Sequence, residues 1–224
     1  MLGQLPALEA LTIASAPITD AGLAHLSNSK RLRLLSLGDR LSGDPMRGTF
    51  KFTDNGLAHL AGLTNLEELV LDAPTLTGKG LEHLAGLKTL RHLRLNSALI
   101  CNDDLQFIAT LTNLERLELD DTRIDGAGLS RLNTLRCLSS LHVAGPNIDD
   151  DAVETLTRLP SLSELALFST SVTMAGLERL RNAPALELLR IYPAIAGDPA
   201  GLKQALPKCS IANGSSVLQT NGKL

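Results

Sequence analysis

Tryptophan is missing from this chain, and only one Tyr and four Phe occur in its 224 residues. Aromatics make up 2% of the sequence while apolar residues make up 44%, so the interior must be filled with aliphatic side chains, Leu foremost. One medium-sized side chain used throughout suits stacked identical layers better than irregular packing. Cysteine is scarce: Cys101, Cys137 and Cys209 are odd in number and lack any CxxC spacing, which argues against a disulfide framework and a Cys-based zinc site. A basic excess is also missing, with 21 Lys and Arg facing 24 Asp and Glu, so no nucleic-acid footprint is expected. No run approaches the ~18 apolar residues of a membrane span, and the N-terminus lacks a basic segment followed by an uninterrupted apolar one. These absences predict a soluble protein of a reducing, cytoplasmic compartment, without a membrane partner.

What the chain has is a count. Leu63, Leu87, Leu111, Leu135 and Leu159 stand 24 residues apart, Ala183 falls on the next beat, and Leu5 and Ser29 are separated by the same 24. One unit reads LTNLEELVLDAPTLTGKGLEHLAG and another LTNLERLELDDTRIDGAGLSRLNT. Eight units fit, beginning at Leu5, Ser29, Leu63, Leu87, Leu111, Leu135, Leu159 and Ala183. A repeat of this length is the signature of a solenoid, in which no unit buries its apolar residues alone and stacked neighbours make one continuous core. Each unit brings roughly seven aliphatic side chains, worth about 1.5–3 kcal/mol apiece when fully buried.

The pattern LxxLxxLxLxx(T)xIxDxGLxxL resembles a leucine-rich repeat. With its ITDAGLAHL-like second half it is similar to the bacterial GALA-like and cysteine-containing-like repeat proteins, over about residues 5–211. The resemblance implies an α/β solenoid, a horseshoe with a concave parallel β-sheet and short convex helices, that serves as a scaffold for protein recognition. GALA-like proteins carry an F-box before their repeats and recruit ubiquitin ligases, and no F-box-like segment is present in these residues.

Local chemistry agrees. Leu117-Glu118-Leu119 alternates as a strand does, Leu inward and Arg116, Glu118 and Asp120 outward. Thr19, Thr53, Thr77, Asp125, Asp149 and Thr173 each precede a GLxxL-like segment and are predicted helix N-caps. Cys101 takes that place in the fourth unit, where Asn102 or Asp103 is the expected cap. In the helices, pairs such as Leu23 and Leu26 fall on one face.

Stacked parallel strands, about 4.8 Å apart, order the outward residues into columns. The first is Ala10, Leu34, Glu68, His92, Arg116, Ser140, Glu164, Leu188; the second is Thr12, Ser36, Val70, Arg94, Glu118, His142, Ala166, Arg190. The third is Ala14, Gly38, Asp72, Asn96, Asp120, Ala144, Phe168, Tyr192. Charge crowds the middle units, and Phe168, Arg190 and Tyr192 form an aromatic-plus-Arg group of the kind that anchors interfaces. The predicted partner-binding residues on the concave face are therefore Glu68, His92, Arg94, Arg116, Glu118, Asp120, His142, Phe168, Arg190 and Tyr192. The plainer reading is polar filler with cross-strand Arg–Glu pairing.

Motifs of catalysis and metal binding are thin. His25, His59 and His83 share a column, but it faces solvent on the helical wheel, and no carboxylate or Cys completes a ligand set there. His92 and His142 lie about 10 Å apart by strand spacing, too far to act on one atom. There is no GxSxG, P-loop, HExxH or Cys–His nucleophile arrangement. No catalytic residue, metal or cofactor is expected. Acidic residues gather where helices begin (Asp103, Asp104, Asp125, Asp149, Asp150, Asp151) and basic ones where they end, as the helix dipole favours.

The beat breaks once. From Ser29 to Leu63 is 34 residues, so ten extra residues lie within about 40–51, and Phe52 takes the beat that Ile18, Leu76 and Ile124 hold elsewhere. This insertion leaves at the rim of the concave face. It reads either as a neutral loop, since each doubling of loop length costs only about 0.6 kcal/mol, or as a second partner-binding element. In the latter case Arg40, Arg47, Phe50 and Lys51 carry it, and Arg47 and Phe50 reach over the first repeats.

Taken together, residues 1–211 are expected to be one repeat domain with a C-terminal cap at about 197–211, closed by an edge strand at Cys209–Ile211. Residues 212–224 are expected to be a polar, mobile tail. Little precedes Leu5 to cover the first repeat, which invites a homodimer or a missing region before it. The expected function is a non-catalytic module binding a protein or peptide on its concave face. The alternative is the recognition part of a larger adaptor or effector, F-box-like, whose N-terminal region is absent.

Overall fold

The structure, a computed structural model, describes residues 7–14, 16–38, 50–72, 74–96, 99–120, 122–195 and 199–214. Nine strands form a single open sheet in chain order, every neighbouring pair parallel. They are β1 (Ala10–Ile13), β2 (Leu34–Leu37), β3 (Glu68–Asp72), β4 (His92–Asn96), β5 (Arg116–Leu119), β6 (Ser140–Ala144), β7 (Glu164–Phe168), β8 (Leu188–Tyr192) and β9 (Ser210–Asn213). Between them run short helices: α1 (Asp20–Ala24), α2 (Asp54–Leu57), α3 (Gly78–Leu84), α4 (Leu105–Ile108), α5 (Gly126–Leu129), α6 (Asp150–Leu156), α7 (Met174–Glu178) and α8 (Pro199–Ala205). The first two predicted columns are the observed register, with Glu68 beside His92, His92 beside Arg116 and Arg94 beside Glu118; the third is paired at Asp72 and Asn96 and from Ala144 through Phe168 to Tyr192. The last strand differs from expectation. It runs from Ser210 to Asn213, beyond the boundary placed at residue 211.

The core is one continuous aliphatic layer between sheet and helices. Inward strand residues such as Leu69, Leu93, Leu117, Leu141 and Leu165 are fully buried, as are the helix residues Leu57, Leu105, Leu129 and Leu177. Phe52 fills its beat with no exposure. Phe50 corrects the expectation of a residue reaching over the groove. It is 4% exposed and lies against Phe52, ring centroids 6.0 Å apart. Burying an aromatic ring is worth far more than leaving it in water, so this side chain returns to the core. Lys51 is exposed, and its N–H donates to Ile18 O (2.7 Å). Arg40 and Arg47 lie outside the described residues.

Successive units are locked at the helix N-termini. Every predicted Thr or Asp cap occupies the N-cap position. Four of them accept from backbone N–H groups: Thr77, Asp125, Asp149 and Thr173. Thr19 and Thr53 make no side-chain cap bond; the Thr53 hydroxyl donates instead to Asp20 Oδ2 of the preceding unit (2.8 Å). Asp54 holds Thr77 in the same way through its N–H (2.8 Å) and Oγ1 (2.6 Å), and Asp150 holds Thr173. At Cys101 the expected cap by Asn102 or Asp103 is replaced by Asp104, which reaches back to accept the Cys101 N–H (2.9 Å) and thiol (3.1 Å). Asn102 is occupied with the next unit, donating to Asp125 Oδ1 (2.7 Å).

This lock explains the glycine of the xGL motif. A Cβ at Gly80 would stand 2.6 Å from Asp54 Oδ1, and Gly56, Gly128 and Gly176 face Asp20, Asn102 and Asp150 in the same way. Where the first helical residue is itself Gly, the following unit is free of that constraint. Asp104 lies against Gly78, and Ala152 against Gly126, whose own Cβ would approach Ala152 Cα to 2.8 Å. Either one partner carries the side chain or the other does.

Candidate functional site

On the concave face, β3 to β7 shape a depression of about 500 Å³ lined by Glu68, His92, Arg94, Arg116, Glu118, Asp120, His142 and Phe168. These are eight of the ten concave residues singled out by the column reading. Arg190 and Tyr192, both exposed, stand on β8 beside it. Parallel register is the reason for their convergence. Residues a full unit apart in sequence become neighbours across one strand spacing.

At the centre is Glu118. Its Oε1 accepts from His92 Nε2 (3.1 Å) and Arg116 Nε (2.8 Å), and Arg94 Nε stands 3.7 Å from its Oε2. Burial by itself would raise the pKa of this carboxyl, but the hydrogen bonds from His92 and Arg116 and the Arg116 charge outweigh it and hold it at about 2. His92 faces a carboxylate from each ring nitrogen, with Glu68 Oε1 3.2 Å from Nδ1. Arg94 also stands 3.5 Å from Asp72 Oδ1, and the Asn96 amide oxygen, turned toward it, accepts from Arg94 Nε (2.7 Å) and Nη2 (2.8 Å).

The second part of the face lies around β6 and β7. His142 is 7% exposed and meets the Phe168 ring edge-on, centroids 6.2 Å apart. Burial pushes its imidazole pKa down, against the pull of the Glu118 charge. Glu164 accepts from the Ser140 hydroxyl at Oε2 (3.2 Å), while its Oε1 lies 3.6 Å from His142 Nε2 and 3.2 Å from Arg190 Nη1. At 3.6 Å the His142 contact is not a hydrogen bond.

Two expectations are corrected. Outward strand residues were expected to be exposed, yet Ser36, Val70 and Ala166 have no exposure and Glu118 has 8%. The Arg94 side chain is 13% exposed. Concavity crowds the second column, so these polar groups are packed as well as presented. Ser140, Asn96, Asp72 and Glu164 were placed in columns but not among the predicted site residues, and each takes part in the network. Their signal was membership of the columns flanking Glu118.

Other candidate chemistry disperses. His25 and His59 are exposed and His83 half-buried, and among the described residues no group of three His, Cys, Asp or Glu could hold a metal ion. The three cysteines are unpaired; the Asp104 hydrogen bond raises the Cys101 thiol pKa, and burial raises that of Cys209. No helix among the described residues is long and apolar enough to cross a membrane.

No family model and no curated protein matches the chain in sequence. Solved structures match its fold. An internalin C2 from Listeria monocytogenes is 24% identical with a TM-score of 0.55, covering 84% of each chain. A leucine-rich repeat protein of Leptospira interrogans is 21% identical with a TM-score of 0.58, covering 94% of this chain and 50% of that one. An internalin F from Listeria monocytogenes is 19% identical with a TM-score of 0.57, over 96% of this chain and 69% of that one. At these identities the likeness shows the fold, and with the nine-stranded sheet in chain order it makes this protein a leucine-rich repeat solenoid.

Proposed function

We propose that this protein is a non-catalytic binding module that holds a protein or peptide segment on its concave face. The observation that carries this reading is the depression between β3 and β7, where charged and aromatic side chains from five neighbouring strands meet. An open groove about 500 Å³ in volume, bordered by the exposed Tyr192 and Arg190, suits an extended segment better than an enclosed small molecule. The imidazole and carboxylates nearest each other are already engaged, His92 lying 3.2 Å from Glu68 and 3.1 Å from Glu118, which suits recognition more than proton transfer. The unpaired cysteines fit a reducing compartment such as the cytoplasm.

The test is affinity capture from the source organism's lysate with wild-type chain and with Phe168→Ala/Tyr192→Ala. These positions are preferable to Arg94, whose replacement would remove a charge that faces Asp72 and Glu118 in a packed network. A partner held by wild type and released by the double variant supports the concave face. A partner held equally by both refutes it and moves the site elsewhere on the solenoid.

A further inference from the structure

Among the concave-face atoms buried without a hydrogen bond among the described residues are His142 Nε2 and Glu164 Oε1. They face each other at 3.6 Å, and the His142 side chain is 9% exposed. Buried polar atoms normally find hydrogen-bond partners, so this pair is open to a further polar group. Glu164 can only accept. A group that completes the site is therefore a donor, since a carboxylate oxygen gains nothing from another acceptor.

The surroundings define that donor further. Around it, Glu68, Asp72, Glu118, Asp120 and Glu164 give five carboxylates against the three guanidinium groups of Arg94, Arg116 and Arg190. Arg94 and Arg116 are bound to Glu118 and its neighbours within the packed network. Arg190 differs from both. Its side chain is 46% exposed, and Nη1 comes within 3.2 Å of Glu164 Oε1 without a hydrogen bond to it. Phe168 stands beside the small Ala144 across the strand pair, and with the exposed Tyr192 of the next strand it offers aromatic faces along which a long aliphatic stem can lie.

We infer that the concave site takes an extended peptide segment with a Lys or Arg side chain, and that Arg190 occupies in the free protein the place of that incoming cation. The stem lies along Phe168 and Tyr192, where a cation also gains from the aromatic faces. The head donates to Glu164 Oε1 and meets His142 Nε2, and Arg190 turns out to solvent. This inference rests on the concave-face reading and adds the chemistry of the ligand.

The test pans a random linear peptide library, displayed on phage, against the full chain. An enriched peptide is then titrated into four proteins: wild type, Phe168→Ala, Glu164→Gln and Arg190→Ala. Enrichment of Lys or Arg next to an aliphatic or aromatic residue is expected. Phe168→Ala and Glu164→Gln should each weaken binding by about tenfold. Arg190→Ala should strengthen it by about threefold, because a competitor for Glu164 is gone. Acidic enriched peptides, or weaker binding by Arg190→Ala, overturn the cation assignment, while a loss with Phe168→Ala still upholds the concave face. Peptides indifferent to Phe168→Ala, or no enrichment, overturn both. Arg190 is exposed, so its variant remains decisive even if Glu164→Gln fails to fold.

Discussion

Glu118 accepts from His92 and Arg116 while being 8% exposed, and that combination gives the protein an acid-sensitive centre. Its folded pKa of about 2 lies below the ordinary 4.5. The stabilisation is therefore complete above about pH 4.5 and is lost as pH falls toward 2, amounting to about 3 kcal/mol across that window. His142 works in the same direction from a higher starting point. Burial depresses its pKa, so the unfolded chain takes up the proton first and stability declines as pH drops below 6.5. Urea unfolding at stepped pH should show a two-part acid decline, with the lower part flattened in Glu118→Gln. An unchanged acid limb in that variant would refute the assignment. The columns containing Glu118 and His142 were legible from the repeat count alone. Their burial was not, because a count of residues carries no curvature, and concavity is what pushes the second column together.

At the scale of the element, each helix start is fitted to the one before it. The Asp54 carboxylate occupies the space that a Cβ at Gly80 would need, and it also binds Thr77. Gly80→Ala should therefore destabilise the fold by about 1–3 kcal/mol, although Ala is the better helix former by about 1 kcal/mol. In an Asp54→Gly background the same change should become neutral or favourable, and a double-mutant cycle by urea denaturation measures that coupling. Equal costs in both backgrounds would rule out the steric account. The cap residues and the glycine were plain in sequence as TDxGL. Their mutual dependence was also written there, in the alternation of Gly78 with Asp104 and Gly126 with Ala152, but reading it requires knowing that position one of a helix touches position three of the next. Phe50 was misread for a related reason: outside the repeat, no periodicity assigns a side chain to the core, and only its contact with Phe52 does so.

In the whole molecule, every strand pairs only with its predecessor and successor, so stability is close to a sum of units and nearest-neighbour interfaces. The fold class could be read from the 24-residue beat because this one-dimensional order leaves few alternatives. The identity of what the groove holds could not, since the repeat fixes the type of the inward residues and not that of the outward ones. The fitted helix starts have a consequence for how such a chain can lose or gain length. Excising residues 111–134 alone would set Asn102 against Ala152, a pair with two side chains for one space. Excising 111–158 sets Asn102 against Gly176, which matches the contact it now makes with Gly128. The longer deletion should leave a chain that still unfolds in a single cooperative step, and the shorter one a chain that does not, as circular dichroism during urea titration would show. Recombination between such genes would then succeed in steps of two repeats here, making the pair, and not the single repeat, the heritable module.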